Sequence, residues 1–410
     1  MDVQKILSAV AIIFALSACS YKKSAESVFP GKSGADAAAC LGQAIQTRFI
    51  VEWEDGKFTV EKSSSADKFE KEFIVPKLNE IRFVQYDRTF QVETAKEVRA
   101  SGYSDSWGQQ MIKADTLWAQ GIYGQNIKVG VVDSYVDTSH PQIRPRIAVN
   151  AAEIPGNGID DDGNGVVDDY YGARFVSTPG TNPTTSSHGT HVTGIIAADP
   201  NYGDIQGVAP QSQIIPAQFI SDDGRGTLGD AILAMQYAVS RGARIINASW
   251  GGSPCDTSLK NAFVSLQDRG ILVVVAAGNE GTDIDVSPTF PAAFNVGTQI
   301  TVAASSRMDF MTYWSNSGFN LVHVAAPGED ILSTVPNNGT AYMDGTSMAA
   351  PMVSGAAALL MSARPTATAV QVKQAILQSV DVTSGHQFKV NTRGRINVQK
   401  ALEVLTRLVP

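Results

Sequence analysis

Six runs of five to eight residues, at 127–132, 213–220, 244–248, 272–277, 300–304 and 321–325, are predominantly apolar. A strand with one wet face alternates polar and apolar side chains, and several of these runs do not alternate. Both of their faces must therefore be covered. Helical spacing recurs between and after them, at 188–198, 228–240, 258–269, 351–362 and 367–379. Strands alternating with helices predict an α/β fold, a three-layer, doubly wound, mostly parallel sheet. The chain has 410 residues, room for one large domain and a small one, and its 36 glycines fit many tight strand-to-helix turns. No internal repeat is found.

Such sheets expose functional groups at the carboxyl ends of their strands. Asp133 ends the first run, in Val-Gly-Val-Val-Asp-Ser at 129–134. His188 opens a helix-like segment within Ser-His-Gly-Thr-His-Val at 187–192. Ser347 heads an apolar, Ala-rich helix-like segment within Gly-Thr-Ser-Met-Ala-Ala-Pro at 345–351. Taken singly, each has a plainer role as a cap or turn residue. Together they are an acid, a base and a nucleophile, the groups that acyl transfer requires, in the chain order Asp, His, Ser. Asn279 lies in Ala-Ala-Gly-Asn-Glu-Gly at 276–281, after the fourth run. An amide there can donate to an oxyanion. His191 has no partner in the sequence and reads as structural.

These segments resemble the subtilisin-like serine peptidases over about 110–360. The resemblance implies a subtilisin-like fold and an endopeptidase using Asp133, His188 and Ser347 through an acyl-enzyme. It implies Asn279 and the Ser347 amide as oxyanion donors, and no cofactor for catalysis. Ser249, Trp250, Gly251 and Gly252 would pair with extended substrate on one edge, and Gly224 and Gly226 on the other, with Ala276 and Gly278 beside the pocket. Broad specificity is expected, with apolar side chains before the scissile bond because no pocket-lining charge is evident. Met348, next to the nucleophile, would be prone to oxidation. Two positions depart from the family pattern. Tyr135 stands where a glycine is usual, and Gln142 follows His140-Pro141 where an acidic calcium ligand is common. Asn201 does match a relative's ligand, so that inherited calcium site is expected to be weakened or lost.

An acidic stretch at 158–169 lies between the acid and the base. Asp160, Asp162 and Asn164, followed by Gly165, match the start of an EF-hand-like loop, with the Val166 carbonyl and Asp168 or Asp169 completing it. Tyr171 replaces the usual bidentate Glu. A structural calcium ion is expected.

The N-terminus reads as a targeting signal. Lys5 precedes an apolar run at 6–18, too short to span a bilayer comfortably. It ends Leu-Ser-Ala-Cys, a lipobox-like pattern predicting removal of 1–18 and lipidation of Cys19. In a two-membrane bacterium this implies an outer-membrane or periplasmic location. Cys40 and Cys255 either pair or stay free. Residues 19–46 read as a flexible tether. Residues 47–100 read as a β-turn-β-α-β unit where the family places an inhibitory propeptide, and 101–410 as the peptidase domain. A cut within about 97–110 would then free the enzyme from the membrane. Net charge is -8 without a basic block, which argues against nucleic acid as a partner. A monomer acting on polypeptides is expected.

Two other readings use the same residues less well. The order Ser, acid, His of α/β-hydrolases would enlist Asp381 and His386. The 63 residues after Ser347 hold too little strand-like chain for that sheet. An inactive, calcium-dependent adhesin would need a substituted site, and none of the candidate catalytic residues is substituted.

Overall fold

The structure, a computed structural model, describes residues 23–33, 43–92, 96–98, 106–177, 186–252 and 256–409. The lipobox with Cys19, and also Cys40 and Cys255, lie outside these residues.

The N-terminal unit has the expected element order. Strands β1 (Gln43–Trp53) and β2 (Phe58–Lys62) form a hairpin, and β3 (Ile81–Gln91) pairs antiparallel with β1. Helical turns between Ala66 and Lys77 cover one face, with Ser65 capping the first through Lys68 N. Their seam is aromatic, with Phe49 and Phe69 stacked at 4.2 Å. The expected tether is not featureless. Ser24 builds a capping box on the short helix Ala25–Val28, and Val28 and Phe29 are each only 1% exposed. Phe29 meets Phe49 and Tyr86 edge-on. Burying a side chain of this size contributes about 1.5–3 kcal/mol, which two apolar residues among small polar ones suffice to supply. Residues 23–33 thus complete the core of the unit.

Among the described residues the larger, C-terminal part supplies twelve further strands: β5 (Lys128–Asp133), β6 (Ala173–Arg174), β7 (Gln213–Gln218), β8 (Arg225–Thr227), β9 (Ile245–Ala248), β10 (Leu272–Ala276), β11 (Gln299–Ser305), β12 (Val324–Pro327), β13 (Ile331–Val335), β14 (Gly339–Asp344), β15 (Asp381–Val382) and β16 (Gly394–Arg395), after β4 (Lys96–Val98). Nine make one sheet, ordered β15-β16-β12-β11-β10-β9-β5-β7-β6, parallel except at the β15–β16 edge. Along β10, Leu272 and Val274 face one core while Val273 and Val275 face the other. The absence of alternation has this cause. Helices α1 (His188–Ala197), α4 (Thr346–Ala363), α5 (Ala369–Leu377) and α6 (Val398–Leu408) fill the first core, and α2 (Leu228–Ser240) and α3 (Thr257–Asp268) the second. The last run expected at 321–325 forms its strand three residues later, as β12. Helix α4 starts at Thr346 and takes in Pro351.

The small unit sits across the amino ends of α2 and α3. Buried Arg48 pairs with Asp87 at 2.7 Å and with Asp230 of α2. Asp87 also accepts the Gly229 N–H at 2.8 Å, in the first turn of α2. Burial pushes Asp87 up to about 6, against the pull of Arg48. At α3, Gln85 bonds Asp256 at 2.5 Å and the Ser258 N–H at 3.3 Å. β3 then continues onto the larger part, pairing antiparallel with β8.

Candidate active site

Asp133 is the last residue of β5 and fully buried. One of its oxygens accepts the Ser134 N–H at 2.7 Å and bonds His188 Nδ1 at 2.7 Å. His188 begins α1, whose first turn packs on the exit of β5. A Cβ on Gly189 would lie 2.6 Å from the Ser134 carbonyl and 2.7 Å from that of Tyr135. The close approach therefore needs glycine at 189, and Tyr135, where the family pattern has glycine, is accommodated half-buried. Burial disfavours the imidazolium, but the Asp133 charge and hydrogen bond outweigh it. His188 is held above the usual imidazole value. Its Nε2 has no partner among the described residues.

Ser347 is 3% exposed in the first turn of α4. Its hydroxyl donates to the Ser249 carbonyl at 3.0 Å rather than to His188. Pro351, one turn on, has no N–H to give the Ser347 carbonyl. The Ser249 hydroxyl donates to that carbonyl instead, at 2.9 Å. Behind Ser249 the chain of bonds continues: Asn247 Nδ2 donates to the Ser249 hydroxyl at 2.9 Å, and Ser354 donates to Asn247 Oδ1 at 2.8 Å. Asn247 and Ser354 were not singled out in the sequence, because a buried strand Asn and a helix Ser carry no local signature.

Asn279 follows β10 and the tight turn at Gly278. The turn has φ +106, and a Cβ there would lie 2.3 Å from Asn316 Nδ2. Asn279 Oδ1 accepts from the Thr346 N–H at 2.9 Å and from its hydroxyl at 3.0 Å. With the carbonyl side held by two donors, the amide nitrogen is the atom left for a ligand. Trp250, Gly251, Ala276, Gly278, Asn279, Glu280, Thr346 and Ser347 line one small cavity. Glu280 is one charged residue among these, concealed in the sequence as a turn residue, and its carboxylate accepts from Asn316 Nδ2. Of the other expected substrate residues, Gly226 pairs with Phe90, and Gly224 accepts the Val92 N–H at 2.8 Å. A Cβ on Gly252 would lie 3.6 Å from the Gln91 carbonyl.

His191 is structural. Its Nε2–H points to the carbonyls of Ile331 and Ala341 at 3.1 and 3.0 Å, tying the β13–β14 hairpin to α1. Burial pushes it down to about 3. Asp381 and His386 lie in the C-terminal segment. Asp381 pairs with Arg395 and Lys400, and His386 Nδ1 bonds Thr383. Both are structural.

The acidic loop brings together a different set from the one expected. Oxygens of Glu153, Asp160 and Asp162 all lie within 4.8 Å of one another. Asp168 is elsewhere, accepting the N–H groups of Gly156, Asn157 and Gly158. Asn164 Oδ1 accepts the Val166 N–H, and Asp169 takes Arg241. Glu153, seven residues ahead of the motif, is 3% exposed and keeps one buried oxygen without a hydrogen-bond partner among the described residues. A hard cation suits that orphaned oxygen and the two adjacent carboxylates. The inherited position differs. There the Gln142 amide donates to the carbonyls of Asp199 and Ile205 at 3.1 and 2.6 Å, and Arg146 pairs with the Asp199 carboxylate. Nitrogen donors already engage those oxygens, so the residues present do not fit a cation.

The subtilase family model matches residues 124–398. A subtilisin of Bacillus pumilus is 37% identical over 300 residues, covering 72% of this chain and 98% of that protein. The major intracellular serine protease of Bacillus subtilis is 37% identical over 289 residues, covering 69% of this chain and 81% of that protein. Subtilisin E of the same organism is 36% identical over 300 residues, 72% and 71% of the two chains.

Proposed function

Since the chain belongs to the subtilase family and is a serine endopeptidase, we propose that Asp133, His188 and Ser347 are its catalytic triad. The observation carrying this reading is the buried Asp133–His188 bond at 2.7 Å, with His188 Nε2 left open and Ser347 at the head of the neighbouring helix. On substrate binding the Ser347 hydroxyl exchanges its bond to Ser249 for one to His188 Nε2. His188 takes the proton as Ser347 Oγ attacks the scissile carbonyl, and Asp133 stabilises the imidazolium. The oxyanion accepts from Asn279 Nδ2 and from the Ser347 N–H, one of the first-turn amides that a helix leaves unpaired. His188 returns the proton to the leaving amine. Water, activated by the same imidazole, then releases the acyl group. Asn279→Leu is expected to lower kcat about 10²–10³-fold with KM little changed. Steady-state kinetics on a chromogenic peptide check this.

Residues 43–93 act as the inhibitory propeptide, with 23–33 as part of its core. Support comes from β3 and the residue after it, which lay Phe90 and Val92 against Gly226 and Gly224, the expected substrate edge. Phe90 packs against Phe219 and Trp250, with ring centroids 6.0 and 5.8 Å away. Val92 and β4 bracket residues 93–95, and we propose a cut there, after Glu93, ahead of the 97–110 expected from sequence. The precursor would be exported and lipid-anchored at Cys19, and processing would free the peptidase. N-terminal sequencing and intact mass of the active form test this. A start at Thr94 without lipid is expected, and an active species still carrying lipidated Cys19 would overturn release.

The Glu153, Asp160 and Asp162 group holds calcium in this reading, stiffening the loop between acid and base. Hundredfold excess over Kd would stabilise by about 2.7 kcal/mol, or roughly 5 °C in melting temperature for a domain of this class. Calorimetry with calcium and with chelator should show that shift, and Glu153→Gln should remove it. Equal melting temperatures would count against the ion.

A further inference from the structure

Strand β4 lies antiparallel along β14, with Lys96 opposite Asp344, Glu97 opposite Met343 and Val98 opposite Tyr342. β14 leads directly into the helix that carries Ser347. On the other flank, Phe90 pairs with Gly226 and Val92 donates to Gly224. One stretch of polypeptide is therefore strand-paired to the peptidase both before and after residues 93–95. A substrate following the same course would be read on both sides of the scissile bond.

The β14 edge is charged. Asp344 Oδ1 accepts the Asp330 N–H at 2.6 Å, which brings the turn Glu329–Asp330 against the end of β14. Burial, then the neighbouring carboxylates, pushes Glu329 above the usual carboxylate range. Asp344 is likewise raised, by burial and by the Asp330 charge, against its bond from the Asp330 amide. The neighbouring charges that bear on both are negative. Residues directly opposite on an antiparallel ladder share a face. The sequence supplies a lysine at the position opposite Asp344.

We propose that Glu329, Asp330 and Asp344 form a subsite on the leaving-group side of the cleft that selects lysine or arginine at the third residue after the scissile bond. The proposal rests on the peptidase reading and on a cut after Glu93. The main-chain ladder to β14 supplies register, and the carboxylates supply the preference.

Fluorogenic peptides with the sequence of 88–98 and Lys, Gln or Glu at the position of Lys96 test it on enzyme matured from the full chain. We expect kcat/KM to favour Lys over Glu by roughly fivefold or more at low salt, and the ratio to shrink in 0.5 M salt. Glu329→Gln with Asp344→Asn should bring it close to one. Asp344→Asn keeps the oxygen that accepts the Asp330 amide, and the salt series on unaltered enzyme needs no variant. Peptides cut after Glu93 with a ratio near one, or with a ratio the double variant leaves intact, would overturn the subsite. Cutting at another bond would overturn the register. No cutting of any peptide would overturn the peptidase reading itself, a failure distinct from loss of preference.

Discussion

Ser347→Ala is expected to lower kcat by about 10⁶-fold while the protein stays folded. The lost hydroxyl makes one bond, to the Ser249 carbonyl at 3.0 Å. Removing one such bond costs about 1 kcal/mol, a small part of the stability of a domain with two large cores. The Ser249 hydroxyl still donates to the Ser347 carbonyl, so the head of α4 keeps its tie to β9. The kinetic loss is large because nucleophile and base work as a unit. The double variant Ser347→Ala, His188→Ala should therefore be scarcely worse than either single one. The residual rate belongs to Asn279, the Ser347 amide and the substrate edges. Active-site titration with matched melting curves checks both halves. Full activity in Ser347→Ala would remove the nucleophile from the account.

Asp133→Asn is expected to cost about 10⁴-fold in kcat and to move the acid limb of the pH profile downward. Asp133 does two things to His188. Its oxygen accepts the Nδ1 proton at 2.7 Å, which leaves Nε2 free to take a proton from Ser347. Its charge raises His188 against the opposing effect of burial. Because one Asp133 oxygen takes both the Ser134 N–H and Nδ1, an Asn either keeps its oxygen there without the charge that stabilises the imidazolium, or turns its NH₂ to Nδ1, and the imidazole then carries its proton on Nε2, where it cannot act as a base. With the carboxylate charge gone, burial alone acts on His188 and its value falls. The sign follows from the charged form: the base works only when neutral, so activity in the parent rises with pH through a value above the ordinary imidazole range. In the variant the residual activity should rise at lower pH. Profiles of kcat/KM between pH 5 and 9 read both changes. An unmoved acid limb would separate the limb from His188.

Much of the fold is legible because its signal is local. Runs without alternation, such as 272–277, have no solution but burial on two faces, and β10 sits with side chains in both cores. Asp133, His188, Asn279 and Ser347 stand at ends of strands and helices, where local sequence marks a change of element. What escaped lies in long-range contact. Glu153 joins the acidic loop through the N–H groups of Asp161 and Asp162, although nothing in its neighbours marks it. Asp168 fitted the spacing of a metal loop but is held by three amides on the opposite turn. The hairpin β13–β14 was missed because its partners are β4 and the first turns of α1, both far away in the chain. Val28 and Phe29 lie in a stretch read as a polar tether, yet Phe29 fills a slot that β1 and β3 build.

The central claim is that one hydroxyl, beside a buried acid–imidazole pair, forms the covalent intermediate. A fluorophosphonate probe on matured enzyme, followed by peptide mass mapping, tests it most directly. The account predicts a single phosphonylated residue, Ser347, at about one label per molecule, with labelling lost in Ser347→Ala and slowed in Asp133→Asn. Stable label on any other residue, or none on correctly folded active enzyme, would contradict it.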